Sequence, residues 1–245
     1  MSRFLRAALT TMLLAGSCTA QSQIDQILNK AKTAALTSSG SGVSLSNDKI
    51  ASGLKEALTV STGKAVAETG RPDGYFKNQA IKIPLPSNLR TVSKGMRLVG
   101  MGAQVDDLEL GMNRAAEQAA PEAKRIFLDA VTKMTFNDAR QILAGNNTAA
   151  TQYFQTHSTA ELTEAFTPIV HQAMENVGVI QQYDRMMKKS GAASYLGNQK
   201  FDFDKYVVAK SLDGLFYMLG EEEKKIRTNP AAQTTTLLRQ VFGKK

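Results

Sequence analysis

The feature that most constrains the fold is an apolar pattern of helical period, which runs almost without interruption from Ser87 onward. Apolar residues recur at spacings of three and four, and Val105, Leu108 and Met112 are examples. Such spacing places them on one face of a helix. Trp is absent and aromatic residues make up 7% of the chain, so these faces rely on aliphatic residues, Ala and Met, a mixture that favours helices. We predict an all-α fold, a single multi-helix domain of roughly eight to ten helices.

The region from residue 47 to Ser87 is predicted to contain one further helix and one non-helical segment. The helix is predicted from a cap at Asn47 or Asp48 to about Thr69. A turn-rich stretch, GRPDGYF, and then AIKIPLP follow. Because proline cannot donate to a sheet ladder, we predict one short extended, proline-containing segment near residues 80–86, at most an edge strand.

The stretch MTFNDARQILAGNNTAATQYF carries the signals of a joint between two helices. Thr135 and Asp138 resemble a capping box. Gly145 fits the left-handed residue that ends a helix, and Thr148 is suited to cap the next one. A further helix is predicted to begin at a Ser158 cap. Each notable polar residue therefore has a structural role, which favours a joint over a functional loop.

The N-terminus has the pattern of a secretory signal. Arg3 and Arg6 precede an uncharged apolar stretch at residues 7–15, and small residues follow in GSCTAQ. The apolar stretch is shorter than the roughly 20 residues that a spanning helix needs. We expect an exported protein.

The cleavage site leaves two alternatives open. LAGSC resembles a bacterial lipobox, in which Cys18 is lipidated, although Ala15 fits that pattern less well than the usual Leu. The other alternative is ordinary cleavage after Ala20. Cys18 is the only cysteine, so the mature domain contains no internal disulfide. The first alternative predicts a periplasmic lipoprotein anchored in the membrane, and the second a soluble periplasmic or secreted protein.

The chain is accordingly predicted to have three parts. Residues 1–17 form the signal peptide, which extends to residue 20 if cleavage follows Ala20. Residues 18–46 form an N-terminal helix and a Ser/Gly-rich linker. Residues 47–245 form the helical domain.

The formal net charge of +8 is carried by Lys and Arg spread along the chain, as on an ordinary solvated surface. No nucleic-acid partner is predicted, because export separates the protein from the genome. In addition, the stretch AATQYFQTHS after the joint is uncharged.

The residues for common catalytic chemistry are scarce. His157 and His171 are the only histidines, and no G-x-S-x-G or phosphate-binding loop occurs. His171 and Glu175 lie four apart, as metal ligands can, but no third ligand has a recognisable spacing. We predict no catalytic residues, no metal and no cofactor, and a non-enzyme is favoured over an enzyme.

The best candidate for a binding site is a row of polar residues that recur every three or four positions beside an apolar helix face. Such a row either lines a cleft or forms a partly buried network that fixes helix packing. With two more distant partners, the candidate set is Asp106, Glu109, Asn113, Arg114, Glu117, Asp138 and Arg227.

Several stretches resemble the bacterial domain-of-unknown-function family 4197. They are GLKEAL, DGYFKNQAIKIPLP, MNRAAEQAA, MTFNDARQILAGNNTAATQYF and EEKKIRTNPAAQTTTLLRQVFG. The resemblance implies a helical, exported bacterial envelope protein. It implies no established activity and no catalytic residues.

Three functions remain in competition. The leading hypothesis is a non-enzymatic envelope protein that binds a partner protein or a small ligand between helices. The second is a hydrolase of an envelope polymer that uses paired carboxylates, Glu109 or Glu117 with Asp138. The third is a structural protein of the membrane surface.

Overall fold

The computed structural model describes residues 47–176 and 201–233, together with positions 178, 181, 183–185 and 239. The chain divides into two units, Met1–Ser46 and Asn47–Lys245, and every described residue belongs to the second. The predicted signal peptide, Cys18, the N-terminal helix and the linker lie outside the described residues.

Within the described ranges all regular secondary structure is helical, which confirms the all-α class, and no strand occurs there. We number the seven α-helices in chain order: α1 (Asn47–Gly70), α2 (Arg90–Leu98), α3 (Gly102–Ala119), α4 (Ala123–Lys133), α5 (Phe136–Ala144), α6 (Ala149–Asn176) and α7 (Phe203–Thr228). Short 3₁₀ turns occur at Ser87–Leu89, Ala120–Glu122 and Pro230–Ala232.

The count within the described ranges is below the predicted eight to ten, in part because the predicted helix start at Ser158 is wrong. Ser158 lies inside α6, which runs unbroken through it. Its side chain is buried at 1% exposure, between Phe154 and Leu162, both fully buried on the same helix. Burial of this face overrides the local preference of serine for a cap.

The core is built around α6. It packs against α3 and α7, while α1 packs against α7 and α4. Phe127 of α4 meets Phe154 of α6 edge to face, with 5.1 Å between ring centroids, and lies 6.1 Å from Phe216 of α7. These aromatic contacts join three helices at the centre of the core.

Residues 71–86, here called the anchored segment, lead from α1 toward α2 and cross the buried faces of α3 and α7. Ile81, Ile83 and Leu85 of this segment are buried, and residues 82–86 adopt no regular secondary structure. The predicted segment near residues 80–86 is therefore not an edge strand. It takes its partners from helix side chains.

None of the described helices is long and apolar enough to span a membrane.

Candidate functional site

The polar row of α3 holds the anchored segment in place. Glu117 is 5% exposed and points at the turn that follows α1. Its Oε1 accepts hydrogen bonds from the backbone N–H groups of Tyr75, at 3.0 Å, and Phe76, at 3.1 Å. Its Oε2 accepts from Nη1 of Arg114 at 2.6 Å. Both oxygens of this buried carboxylate are thus occupied.

Arg114 links Glu117 to a second carboxylate in the anchored segment. Its Nη2 donates to Oδ1 of Asp73 at 2.7 Å, and Lys77 contacts the other oxygen of Asp73 at 2.7 Å. The hydrogen bonds from Lys77 and Arg114 hold the pKa of Asp73 below its usual range. Asp73 has a φ of 65°, in the left-handed region that Asp tolerates better than most residues. The ion pairs therefore hold the side chain of a tight turn.

Asn113 recognises the backbone of the anchored segment. Its Oδ1 accepts from the N–H of Ile83 at 2.8 Å, and its Nδ2 donates to the carbonyl of Ile83 at 2.9 Å. This buried carboxamide takes the place that a neighbouring strand would occupy. One turn away, Glu109 pairs with Lys82 at 3.0 Å.

Asp106, the first residue of the predicted row, pairs with Arg97 of α2. Glu109, Asn113, Arg114 and Glu117 all bind the anchored segment or one another. These four residues and Asp73 are here called the anchoring network. The structure therefore brings the α3 residues of the candidate set together, but their polar groups are already bonded to neighbouring segments of the same chain.

The two remaining candidates, Asp138 and Arg227, lie at the joint between α5 and α6. Arg227 forms an ion pair with Glu223 at 2.9 Å and donates from Nη2 to the carbonyl of Ile142 at 2.8 Å. That carbonyl belongs to the last turns of α5. Arg227 thus binds the end of the helix that leads into the joint.

Glu223 binds the other side of the joint. Its Oε1 accepts from the N–H of Ala150 at 2.9 Å, and its Oε2 accepts from the N–H and hydroxyl of Thr151, both at 2.8 Å. These N–H groups are in the first turn of α6. The prediction that Thr148 caps this helix is wrong, since the cap comes from α7 and the Thr148 hydroxyl donates to Asn146 instead.

The local geometry of the joint corrects a second prediction. The capping box of Thr135 and Asp138 is confirmed. Gly145, however, has φ −82° and ψ −175°, so it is extended and not left-handed. A Cβ added to Gly145 would lie 2.5 Å from Cβ of Ala149 and 3.1 Å from the carbonyl oxygen of Gln141. Glycine is needed here because the two helices approach closely.

An open cleft lies between α5 and α6 at this joint, and its volume is about 390 Å³. Most of its lining side chains are polar. They are Asp138, Gln141, Ile142, Gly145, Asn146, Ala149, Gln152, Tyr153, Thr156 and His157.

Three carboxamides in the cleft retain unused hydrogen-bonding groups. Gln141 makes no side-chain hydrogen bond within the described ranges. Asn146 uses Oδ1 to accept from Thr148, which leaves its Nδ2 group open. Gln152 makes one long contact, at 3.5 Å from its Nε2 to the Thr148 hydroxyl, which leaves its Oε1 open. The cleft thus offers both donors and acceptors.

An imidazole lies against the aromatic ring of the cleft. The rings of Tyr153 and His157 are stacked, with 4.2 Å between centroids. Nδ1 of His157 lies 2.8 Å from the backbone carbonyl of Tyr153, so it carries the proton and donates. The Nε2 atom has no partner in the described part of the chain, and His157 is exposed.

Asp138 is the one carboxylate among the lining residues, and none of them is Lys or Arg. Its Oδ2 accepts from the backbone N–H and hydroxyl of Thr135. These bonds hold the pKa of Asp138 below its usual range, and the nearby His157 adds to the effect. The carboxylate is therefore ionised at neutral pH.

The candidate set from the sequence included Asp138 of this cleft but missed Gln141, Asn146, Gln152 and His157. Part of the pattern was present in the sequence, because two cleft residues, Gln152 and Thr156, are four apart and fall on one face of a helix. What the sequence did not show is that α5 folds against this face and leaves a gap.

No group of three potential metal-ligating side chains occurs in the part of the chain that the structure describes. The His171 and Glu175 pair is present on α6, with 3.4 Å between Nε2 and Oε1. The other ring nitrogen, Nδ1, contacts Asp204 of α7 at 2.7 Å. Both nitrogens of His171 are therefore already engaged by carboxylates.

Comparison with known proteins gives one match. A family model described as "Protein of unknown function (DUF4197)" matches residues 44–243. No curated protein and no solved structure matches the chain. The match includes both the anchoring network and the cleft and covers most of the chain. The protein therefore belongs to the DUF4197 family.

Proposed function

We propose that this protein is a non-enzymatic binding module that takes a small, neutral, hydrogen-bonding ligand in the cleft between α5 and α6. The observation that carries the proposal is the cleft of about 390 Å³ with its unused carboxamide and imidazole groups. Its volume lies within the roughly 300–1,000 Å³ that small-molecule sites usually have.

The charges around the cleft argue for a neutral ligand. Asp138 supplies a negative charge, and no lining side chain is Lys or Arg to attract an anion. The N-terminus of α6 would ordinarily favour an anion. Here its N–H groups on Ala150 and Thr151 are taken by Glu223, which brings its own negative charge. A phosphate or carboxylate ligand is therefore disfavoured.

The hydrogen-bonding groups argue for a polyhydroxylated ligand, and a saccharide unit is the class we infer. A sugar hydroxyl both donates and accepts, as does a carboxamide, so Gln141, Asn146 and Gln152 complement it in either role. The stacked rings of Tyr153 and His157 add a flat surface for the less polar face of a sugar ring.

The test is a titration of the full chain with neutral saccharides, followed by two-dimensional NMR of the side-chain amide groups. N-acetylglucosamine and its dimer are the probes. Glucose 6-phosphate is the charged comparison. We expect shifts of the Gln141, Asn146 and Gln152 amide signals with the neutral sugars and weaker ones with the phosphorylated sugar.

A matched pair of variants locates the site. Gln152→Ala should weaken binding by about tenfold, the loss of one good hydrogen-bonding group. Gln155→Ala removes an exposed glutamine from the same helix that does not line the cleft and should leave binding unchanged. An absence of amide shifts at millimolar sugar, or equal binding of the phosphorylated sugar, would contradict the proposal.

Binding is favoured over hydrolysis by the state of the carboxylates. Of the three carboxylates proposed for hydrolysis, Glu117 has both oxygens occupied and Glu109 pairs with Lys82. Asp138 has a lowered pKa, whereas a general acid needs a raised one. Incubation of the N-acetylglucosamine dimer with the protein should therefore yield no monomer.

The location of the module is part of the proposal. Arg3, Arg6 and the apolar stretch at residues 7–15 support export to the periplasm, and LAGSC supports a lipid anchor at Cys18. Mass spectrometry of the protein from its own cell envelope tests both points. A diacylglyceryl group on Cys18 supports the anchor, and a bare chain that starts at Gln21 supports a soluble protein.

A further inference from the structure

The turn between α2 and α3 exposes two large aliphatic side chains. Leu98 is 88% exposed and Val99 is 72% exposed. Among the described residues, the next most exposed large hydrophobic side chain is Tyr217, at 48%. The two residues are adjacent, and we call them the aliphatic tip.

The backbone of this turn does not require aliphatic residues there. Gly100 has a φ of 81° and donates to the carbonyl of Arg97, while Met101 donates to the carbonyl of Met96 at 2.9 Å. These bonds form a Schellman motif, which ends a helix with a left-handed glycine. The apolar contact that accompanies the motif is available from Met96, which is buried, and Met101. Polar residues would satisfy the fold at positions 98 and 99.

Basic residues lie in line with the aliphatic tip. Arg90, Lys94 and Leu98 are successively four apart on α2, so they share one helix face. Neither Arg90 nor Lys94 forms an ion pair with any described residue, and α2 contains no acidic residue. Arg97 pairs with Asp106, which offsets its charge. The face therefore combines two uncompensated cations with an exposed aliphatic end.

We propose that the aliphatic tip inserts into the interface of an anionic lipid membrane, with Arg90 and Lys94 at the level of the headgroups. Aliphatic side chains backed by cations suit the boundary between headgroups and acyl chains. Each Lys or Arg near an anionic surface strengthens attachment. A protein partner fits less well, because a stable interface buries about 800 Å² on each side, far more than two side chains present. This inference does not depend on ligand binding in the cleft or on a lipid at Cys18.

The test places a fluorescent label at the aliphatic tip of the full chain. Cys18→Ala removes the only cysteine, and Leu98→Cys then gives a single site for the environment-sensitive dye NBD. A site-specific label is required so that the signal reports on the aliphatic tip and not on attachment through another part of the chain. We expect a blue shift and stronger emission with vesicles of three parts POPC to one part POPG, and little change with pure POPC.

A second labelled position and a charge variant complete the experiment. Lys64→Cys places the dye on the exposed surface of α1 and should show no blue shift. Neutralising both cations by Arg90→Gln and Lys94→Gln should raise the lipid concentration at half-maximal change by about fivefold for each cation removed.

Three results would overturn the proposal. An unchanged signal at position 98 with anionic vesicles would show that the aliphatic tip stays in water. Equal shifts at positions 64 and 98 would show that attachment does not involve the aliphatic tip in particular. A dye already in an apolar environment without vesicles would show that another part of the chain or a second copy covers it.

Discussion

The anchoring network and the cleft are both built from polar side chains, yet the two regions use them in opposite ways. In the anchoring network, Glu117 and Asn113 are at most 5% exposed. Their side chains form hydrogen bonds with other groups of the protein. In the cleft, Gln141 and Gln152 are exposed and retain unused groups. Polar residues of the first kind stabilise the fold, and those of the second are available to a ligand.

The difference follows from the cost of burial. A buried polar group without a partner costs about 1–3 kcal/mol, so the pairing of the buried groups stabilises the anchoring network. An exposed carboxamide is hydrated and can exchange water for a ligand. The comparison therefore predicts that mutations in the two regions have separable effects on stability and on binding.

The largest expected effect is loss of stability in Glu117→Ala. Removal of this carboxylate leaves the N–H groups of Tyr75 and Phe76 without an acceptor and Arg114 without one of its partners. A buried N–H group left without an acceptor costs about 1–3 kcal/mol in free energy of unfolding, and here two such groups lose theirs. Urea denaturation measures it. Asp106→Ala, which breaks an exposed pair, should cost under about 1 kcal/mol and is the control.

A smaller loss of stability is expected for Gly145→Ala, which alters the backbone that lines the cleft. The new methyl group would overlap Ala149, and overpacking of this kind costs about 1–3 kcal/mol. Thermal unfolding and the saccharide titration should both change, because the angle between α5 and α6 shapes the cleft. Gly95→Ala in α2, where the added Cβ has no neighbour within 4 Å, should instead be neutral or slightly stabilising.

The double variant Gln141→Ala, Gln152→Ala should separate the two regions most clearly. Both side chains are exposed and hold nothing in place, so stability should change by no more than about 0.5 kcal/mol for each. Saccharide binding should be lost. A marked drop in urea midpoint would show that the cleft carboxamides are structural, and the comparison would fail.

The smallest expected effect is on the pH dependence of stability, and it comes from His171, an exposed side chain that is paired with carboxylates. The hydrogen bond to Asp204 raises the pKa of His171 above 6.5, with a further contribution from Glu175. The raised pKa means that the stabilisation is fully present below about pH 6.5 and is lost as pH rises through the folded-state value. His171→Gln should remove that pH dependence. Urea midpoints from pH 5.5 to 9 measure it, and identical profiles for both proteins would rule it out.

The sequence predicted those features that depend on neighbouring residues. The capping box at Thr135 and Asp138 was visible because its two members are three apart, and helix faces were visible from their period. The cap on α6 was not visible in the sequence, because Glu223 lies more than 70 residues from Ala150. Thr148 was the better local candidate, and a distant carboxylate displaced it.

The same limit explains the candidate site. The polar row on α3 was predicted either to line a cleft or to form a packing network. Which of the two occurs depends on the position of the anchored segment. No local pattern shows that the Asn113 carboxamide meets the backbone of Ile83, 30 positions earlier. Similarly, the exposed carboxamides of α5 and α6 resemble any helix surface until the gap between the two helices is known.

The position of Glu223 and Arg227 on α7, the last of the seven described α-helices, has a consequence for the order of folding. The contacts that hold the joint of α5 and α6 span 72 to 85 residues of sequence. Contacts of such separation form slowly, since a long loop must close first. During synthesis they are unavailable until α7 has emerged. Helices α1 to α6 are complete before then, so the cleft should take its final shape only when α7 packs against the joint, and ligand binding would report that packing.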